Sequence, residues 1–108
     1  MISRIWFGWT STQNAEAYEK LLKTEIFPGI VAKKIPGFRR IELARRPDGD
    51  EVEFVTTMWF DSLDAVKAFA GPRFEAAVVP PAARALLAGF SETAEHFEVR
   101  ETREAAGG

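Results

Sequence analysis

Apolar and polar positions alternate with period two in four stretches of this chain, and period two is the signature of a strand. Residues 2–10 place Ile5, Phe7 and Trp9 on one face and Arg4, Trp6 and Gly8 on the other. Residues 38–46 put Ile41 and Leu43 opposite Arg40 and Glu42, and residues 51–60 form a third alternating run. Pro47-Asp48-Gly49-Asp50 between these runs is a turn signal, so residues 38–60 read as a hairpin. Residues 91–102 contain the fourth strand, where Phe97 and Val99 oppose His96 and Glu98.

Helical spacing appears twice between these strands. Ser11 or Thr12 can cap a first helix, along which Tyr18, Leu21, Leu22 and Ile26 recur on one side. Pro28-Gly29 interrupts it, residues 30–34 continue as a further turn, and Pro36-Gly37 ends it. Asp61 or Ser62 caps a second helix with Leu63, Val66 and Phe69 inward, stopped by Gly71-Pro72. Phe74, Ala77 and Val78 suggest one more turn, and Pro81 can start a short helix through Leu87, with Gly89 closing it. Residues 103–108 read as a flexible tail after a single domain spanning 1–102. The order β-α-β-β-α-β is the ferredoxin-like split βαβ arrangement, an α+β fold with a four-stranded antiparallel sheet. Its first and third strands are central neighbours and its fourth pairs with the first. The more apolar face, with Ile5, Phe7 and Trp9, is expected under the helices. The face with Trp6, Trp59 and His96 then stands open, too aromatic to leave wet. Two copies packed sheet against sheet would cover it, so the expected partner is a second copy of the chain.

Composition narrows the chemistry. The 108 residues carry a net charge of −2 with both signs interspersed, so no basic stripe points to nucleic acid. There is no cysteine, which removes disulfides and thiolate chemistry and suits a reducing compartment. No signal peptide or membrane-spanning run is visible, so the expected location is cytoplasmic. With one histidine, a zinc or non-haem iron site is not expected, and no glycine-rich loop cradles a phosphate. Ser11, Ser62 and Ser91 are isolated and support no nucleophilic triad.

His96 is the first candidate for chemistry, because an imidazole is the natural general base near neutral pH. Glu98 shares its face and could orient it; the plainer alternative is an interface histidine bonded to a carboxylate or carbonyl. Trp6 and Trp59 could stack on a flat ligand, although both also suit packing, and Trp9 reads as core. Arg4 could hold an anionic ligand oxygen or pair with Glu98 or Glu53 across the sheet. Thr57, on the Trp59 face, is a candidate hydrogen-bond donor. Asp61 and Asp64 are capping acids, and Glu75 and Arg84 lie where a lid could form.

Three motifs together resemble the antibiotic-biosynthesis-monooxygenase-like family of small dimeric α+β barrels. They are Arg4-Ile5-Trp6-x-Gly8, Met58-Trp59-Phe60-Asp61-Ser62-Leu63 and Glu95-His96-Phe97-Glu98-Val99, supported by Ala68-Phe69-Ala70-Gly71 and Val79-Pro80-Pro81. The resemblance implies a homodimer with a cavity for a hydrophobic or aromatic small molecule. Its implied activities include cofactor-free, quinone-forming monooxygenation and haem degradation. Two positions depart from the pattern. The register of the haem-ligating histidine falls at Val78, and that of a polar first-strand asparagine falls near Trp6. The expectation is a cofactor-independent monooxygenase-like protein for a flat aromatic or polyketide-like molecule, with no cofactor. A non-catalytic binding protein and a small isomerase or lyase with His96 as proton shuttle are the alternatives.

Overall fold

Three long strands and two interrupted helices build the molecule, whose computed structural model describes residues 1–106. Strand β1 (Ile2–Ser11) is followed by helix α1 (Ala15–Leu21), a π-helical turn (Leu22–Ile26) and helix α2 (Phe27–Ala32). The hairpin of β2 (Phe38–Asp48) and β3 (Glu51–Phe60) leads into α3 (Leu63–Ala70). A short helix α4 (Pro81–Arg84) precedes two small strands, β4 (Gly89–Phe90) and β5 (Glu95–Glu98). The antiparallel sheet runs β2-β3-β1-β4, with β5 also on β1. The α+β class and the neighbours of β1 are those read from the sequence. The residues of the expected tail up to Ala106 are exposed, and Gly107 and Gly108 lie outside the described residues.

Local chemistry explains the element ends. Ser11 Oγ accepts the Asn14 N–H at 3.1 Å, so the helix starts slightly later than its first cap candidates imply. Pro28 has no N–H to offer the turn before it. The chain widens there, and Phe27 N–H bonds to Leu22 five residues back. Ser62 caps α3 by accepting the Ala65 N–H at 3.2 Å. Asp61 is instead held by Arg39, whose Nε lies 2.6 Å from it. The hairpin turns at Gly49 and Asp50, with Gly49 at φ 62°.

Two sequence expectations change. First, the faces of β1 are reversed. The helices cover the side carrying Arg4, Trp6, Gly8 and Thr10, while Ile5, Phe7 and Trp9 lie on the uncovered side. Cross-strand partners share a face. Arg4 sits opposite Met58 and Gly8 opposite Phe54, and Phe54, Met58 and Phe60 are the buried row of the sheet. Trp6 fits under the helices because Gly8 beside it lacks a side chain. A Cβ there would lie 3.1 Å from both the Trp6 ring and Leu87.

Second, the expected continuous last strand is broken. Between the Gly8–Phe90 and Ile5–Glu95 pairs β1 has two residues (Trp6, Phe7) and the edge has four (91–94), so the edge loops outward. Its freed backbone pairs with a strap, residues 71–80, that crosses from α3 to α4. Ala77 N–H donates to Glu92 O and Ala94 N–H to Glu75 O, each at 2.8 Å. The short helix begun by Pro81 ends at Arg84, before the expected Leu87, and Gly89 belongs to β4.

Gly37 sits at φ 83°, and a Cβ on it would lie 2.8 Å from the Ala65 Cβ of α3. Gly37→Ala is therefore expected to lose about 1–3 kcal/mol of stability, from backbone strain and displacement of α3. Gly49→Ala, with open space around it, should lose less. Urea unfolding of both variants checks the order.

Candidate functional site

The sheet and the helices flank a cavity that lies between two packed clusters. One cluster gathers Tyr18, Leu22, Phe54 and Ala83, the other Met58, Phe60, Ala65 and Val66. The row Tyr18, Leu22, Ile26, Ile30, at spacings of four, gives the helical wall. Arg4, Trp6, Ile41, Thr56 and Met58 give the sheet wall. The strap closes one side with Val78, Val79 and Pro80. The space open to the centres of water molecules is about 70 Å³, room for on the order of five waters at ~10–15 Å³ each. A wider trough near Lys33 and Glu25 shares Ile26, Ile30, Phe69, Val78 and Pro80 with the cavity.

Arg4 is the charged group of this cavity and is only 4% exposed. One terminal nitrogen donates to Phe74 O and lies 2.9 Å from His96 Nε2; the other donates to Ala76 O at 3.1 Å. Its guanidinium also lies 5.6 Å from the centre of the Phe69 ring. Among the described residues no carboxylate forms an ion pair with it; Glu53 pairs with Arg46, and Glu98 with Arg100. Burial lowers the Arg4 pKa from its ordinary value.

His96 stands directly across from Arg4 on β5. A guanidinium only donates, so Nε2 of the imidazole is the acceptor and the neutral ring carries its proton on Nδ1. Phe74 packs edge-on to the ring at 5.2 Å between centroids. The imidazole pKa is lowered, first by burial and second by the Arg4 charge, against a weaker opposing pull from Glu75 and Glu95. His96 therefore sits behind Arg4 and is not part of the cavity wall.

The other sequence candidates divide between the two sides of the sheet. Trp6 lines the cavity, with its indole N–H donated to Ser91 O at 2.6 Å. Trp59 and Thr57 lie on the uncovered face, opposite Arg40 and Glu42, and the Arg40 guanidinium stacks 4.0 Å from the Trp59 ring centre. Glu98 is exposed and bonds Arg100 at 3.2 Å, so it does not meet His96. Of the two lid candidates, Glu75 lies in the strap, and Arg84 on α4 sits over the Phe90 ring. The structure thus joins Arg4, Trp6 and His96 and leaves Trp59, Thr57 and Glu98 apart.

Tyr18, Thr56 and Phe69 are cavity residues that sequence reasoning missed as site residues. The Tyr18–Leu22–Ile26 spacing signals a helix face turned inward but not that the face borders a void. Thr56 follows from Thr57 by one residue of strand register. No residue lining the cavity offers an imidazole or thiolate, and Val78 has no donor atom. The donor set therefore does not fit a histidine-ligated haem. Among the described residues no cluster of three or more His, Cys, Asp or Glu is placed to hold a metal ion, and no helix is long and apolar enough to cross a membrane.

Neither a family sequence model nor a curated protein matches the chain. Solved structures do. One is a variant of MhuD with two manganese protoporphyrin IX molecules bound per active site, at TM-score 0.65 and 23% identity over 97% of this chain and 100% of that one. A second is a variant of SnoaB, a cofactor-independent oxygenase from Streptomyces nogalater, at TM-score 0.55 and 28% identity over 94% of each chain. A third is a monooxygenase from the gene ActVA-Orf6 of Streptomyces coelicolor in complex with nanaomycin D, at TM-score 0.57 and 14% identity over 97% and 91%.

The lowered imidazole pKa has a defined sign. In the unfolded chain His96 binds its proton at higher pH than in the folded chain, so acidification favours unfolding. Its contribution is fully present above the ordinary value near 6.5 and is lost as pH falls toward the folded value. Because the chain has one histidine, a single imidazole Hε1 resonance reports the titration by NMR. Its midpoint is expected below 6.5, and Arg4→Gln should move it upward.

Proposed function

We propose that this chain, whose fold is that of the antibiotic-biosynthesis-monooxygenase-type proteins, takes a flat, oxygen-bearing aromatic or polyketide-like molecule as an anion into its cavity and the wider trough that adjoins it, and oxidises it with molecular oxygen. One observation carries the reading: a buried guanidinium that has no carboxylate partner among the described residues borders an apolar cavity. An uncompensated buried charge is expensive, and an anionic ligand oxygen offsets that cost. The same attraction, in a low dielectric, favours ionisation of a phenol or enol held beside Arg4.

An ionised, electron-rich ring is what oxygen chemistry without a cofactor requires. A ring CH₂ gives up one proton, and the carbanion passes an electron to oxygen. The pair recombines as a hydroperoxide, which loses water to leave a carbonyl. One oxygen molecule and one CH₂ thus become one C=O and one water. Arg4 stabilises the anion. Trp6 supplies a flat wall and, with its N–H engaged by Ser91 O, stacks rather than donates. His96 receives the proton at Nε2 once Arg4 turns toward the ligand. SnoaB, which shares this fold, is itself a cofactor-independent oxygenase.

A second reading, binding without turnover, is favoured by the position of His96 behind the cavity wall. Oxygen uptake with 1,8-dihydroxyanthrone separates the two. The oxygenase reading expects uptake above the uncatalysed background, one oxygen per anthraquinone formed. Arg4→Gln is expected to reduce kcat/KM by about a hundredfold. Quenching of ligand fluorescence without oxygen uptake would establish the binder instead.

The uncovered sheet face presents Ile5, Phe7, Val55 and Trp59, with Phe97 more than half exposed at its edge. This reading places a second copy of the chain there, sheet against sheet. Light scattering should give twice the chain mass, and Phe7→Arg should give the monomer.

A further inference from the structure

Tyr18 is a buried phenol for which the packing gives no evident purpose. It is 1% exposed, and its ring is fixed edge-on against Phe54 at 4.8 Å between centroids. Among the described residues nothing forms a hydrogen bond with its hydroxyl, yet none of their fully enclosed side-chain oxygens or nitrogens lacks a partner. The hydroxyl is therefore not walled in by protein. Tyr18 borders the cavity, so the small accessible area that it retains faces that space. A phenylalanine would fill the cluster of Leu22, Phe54 and Ala83 equally well. Burying a hydroxyl without a partner costs about 1–3 kcal/mol, which argues that the oxygen meets something in the cavity.

We infer that Tyr18 is a ligand-binding residue that donates a hydrogen bond to a carbonyl oxygen of the bound molecule, as a second polar anchor besides Arg4. The inference rests on the small-molecule reading of the cavity and narrows its substrate class. The ligand carries an ionisable oxygen for the guanidinium and a separate, neutral carbonyl oxygen for the phenol, the pattern of a hydroxylated quinone or anthrone. Burial pushes the Tyr18 pKa up to about 12. It therefore stays protonated at neutral pH, which suits a donor and not a base.

A matched pair of probes tests this, anthraquinone-2-carboxylate and anthracene-2-carboxylate, which share ring size and anionic group and differ in the ring carbonyls. Their affinities for the full chain and for Tyr18→Phe are measured by fluorescence or calorimetric titration, with thermal unfolding confirming that the variant is folded. The wild-type chain is expected to prefer the quinone by about three- to tenfold. Tyr18→Phe is expected to abolish that preference and leave anthracene-2-carboxylate binding within about twofold. An unchanged preference in the variant, or an equal loss for both probes, overturns the role of Tyr18 and leaves the cavity reading standing. Failure of both probes to bind the wild-type chain overturns the cavity reading and the Tyr18 inference together.

Discussion

A buried guanidinium that has no counter-charge among the described residues organises this molecule. Arg4 must have its donors satisfied, because unpaired donors in a low dielectric are costly. The structure meets that need with Phe74 O, Ala76 O and an imidazole nitrogen. Each of these partners is neutral, so the hydrogen bonds are made while the positive charge stays uncompensated. The consequences run outward from there. The strap is pinned to β1, the histidine is held neutral, and the wall of an apolar cavity acquires a fixed positive potential.

The broken edge of the sheet follows the same logic. A continuous edge strand would turn half of its backbone groups to β1 and hold the other half in a straight outward row, out of line with the strap. Two extra residues at 91–94 loop away, and the strap uses their freed backbone groups. The loop also gives the Trp6 indole N–H its acceptor at Ser91. Strap, edge and β1 are thereby joined around the cavity by backbone hydrogen bonds that no local sequence signal announces. The π-helical turn opposite has an equally local cause in Pro28, and two of its residues, Leu22 and Ile26, border the cavity.

Much of the architecture was legible in the residues. Period-two runs gave the strands, and Pro47 to Asp50 gave the hairpin. Serines and glycines gave most element ends, and the order of elements gave the sheet neighbours. The candidate site was legible only in part. Arg4, Trp6 and His96 stood out by chemical type, but their relation did not, since Arg4 on β1 and His96 on β5 are 92 residues apart along the chain. The covered face of β1 is not legible from its residues, because both of its rows are bulky. Ile5, Phe7 and Trp9 look more core-like than Arg4, Trp6 and Gly8. Only pairing with Phe54, Met58 and Phe60 shows which row is under the helices.

The sequence by itself determined the elements, their order and the chemical vocabulary of the site: one imidazole, no thiol and an arginine on the first strand. Those follow from near-neighbour physics, in which periodicity, turn preference and residue type act within a few positions. Tertiary structure alone decided which face of the sheet is covered, that Arg4 meets a histidine and two carbonyls rather than an acid, and that Tyr18 borders a void. Each of these depends on contacts between segments distant in sequence, where burial and hydrogen-bond satisfaction are settled jointly and no single segment carries the answer.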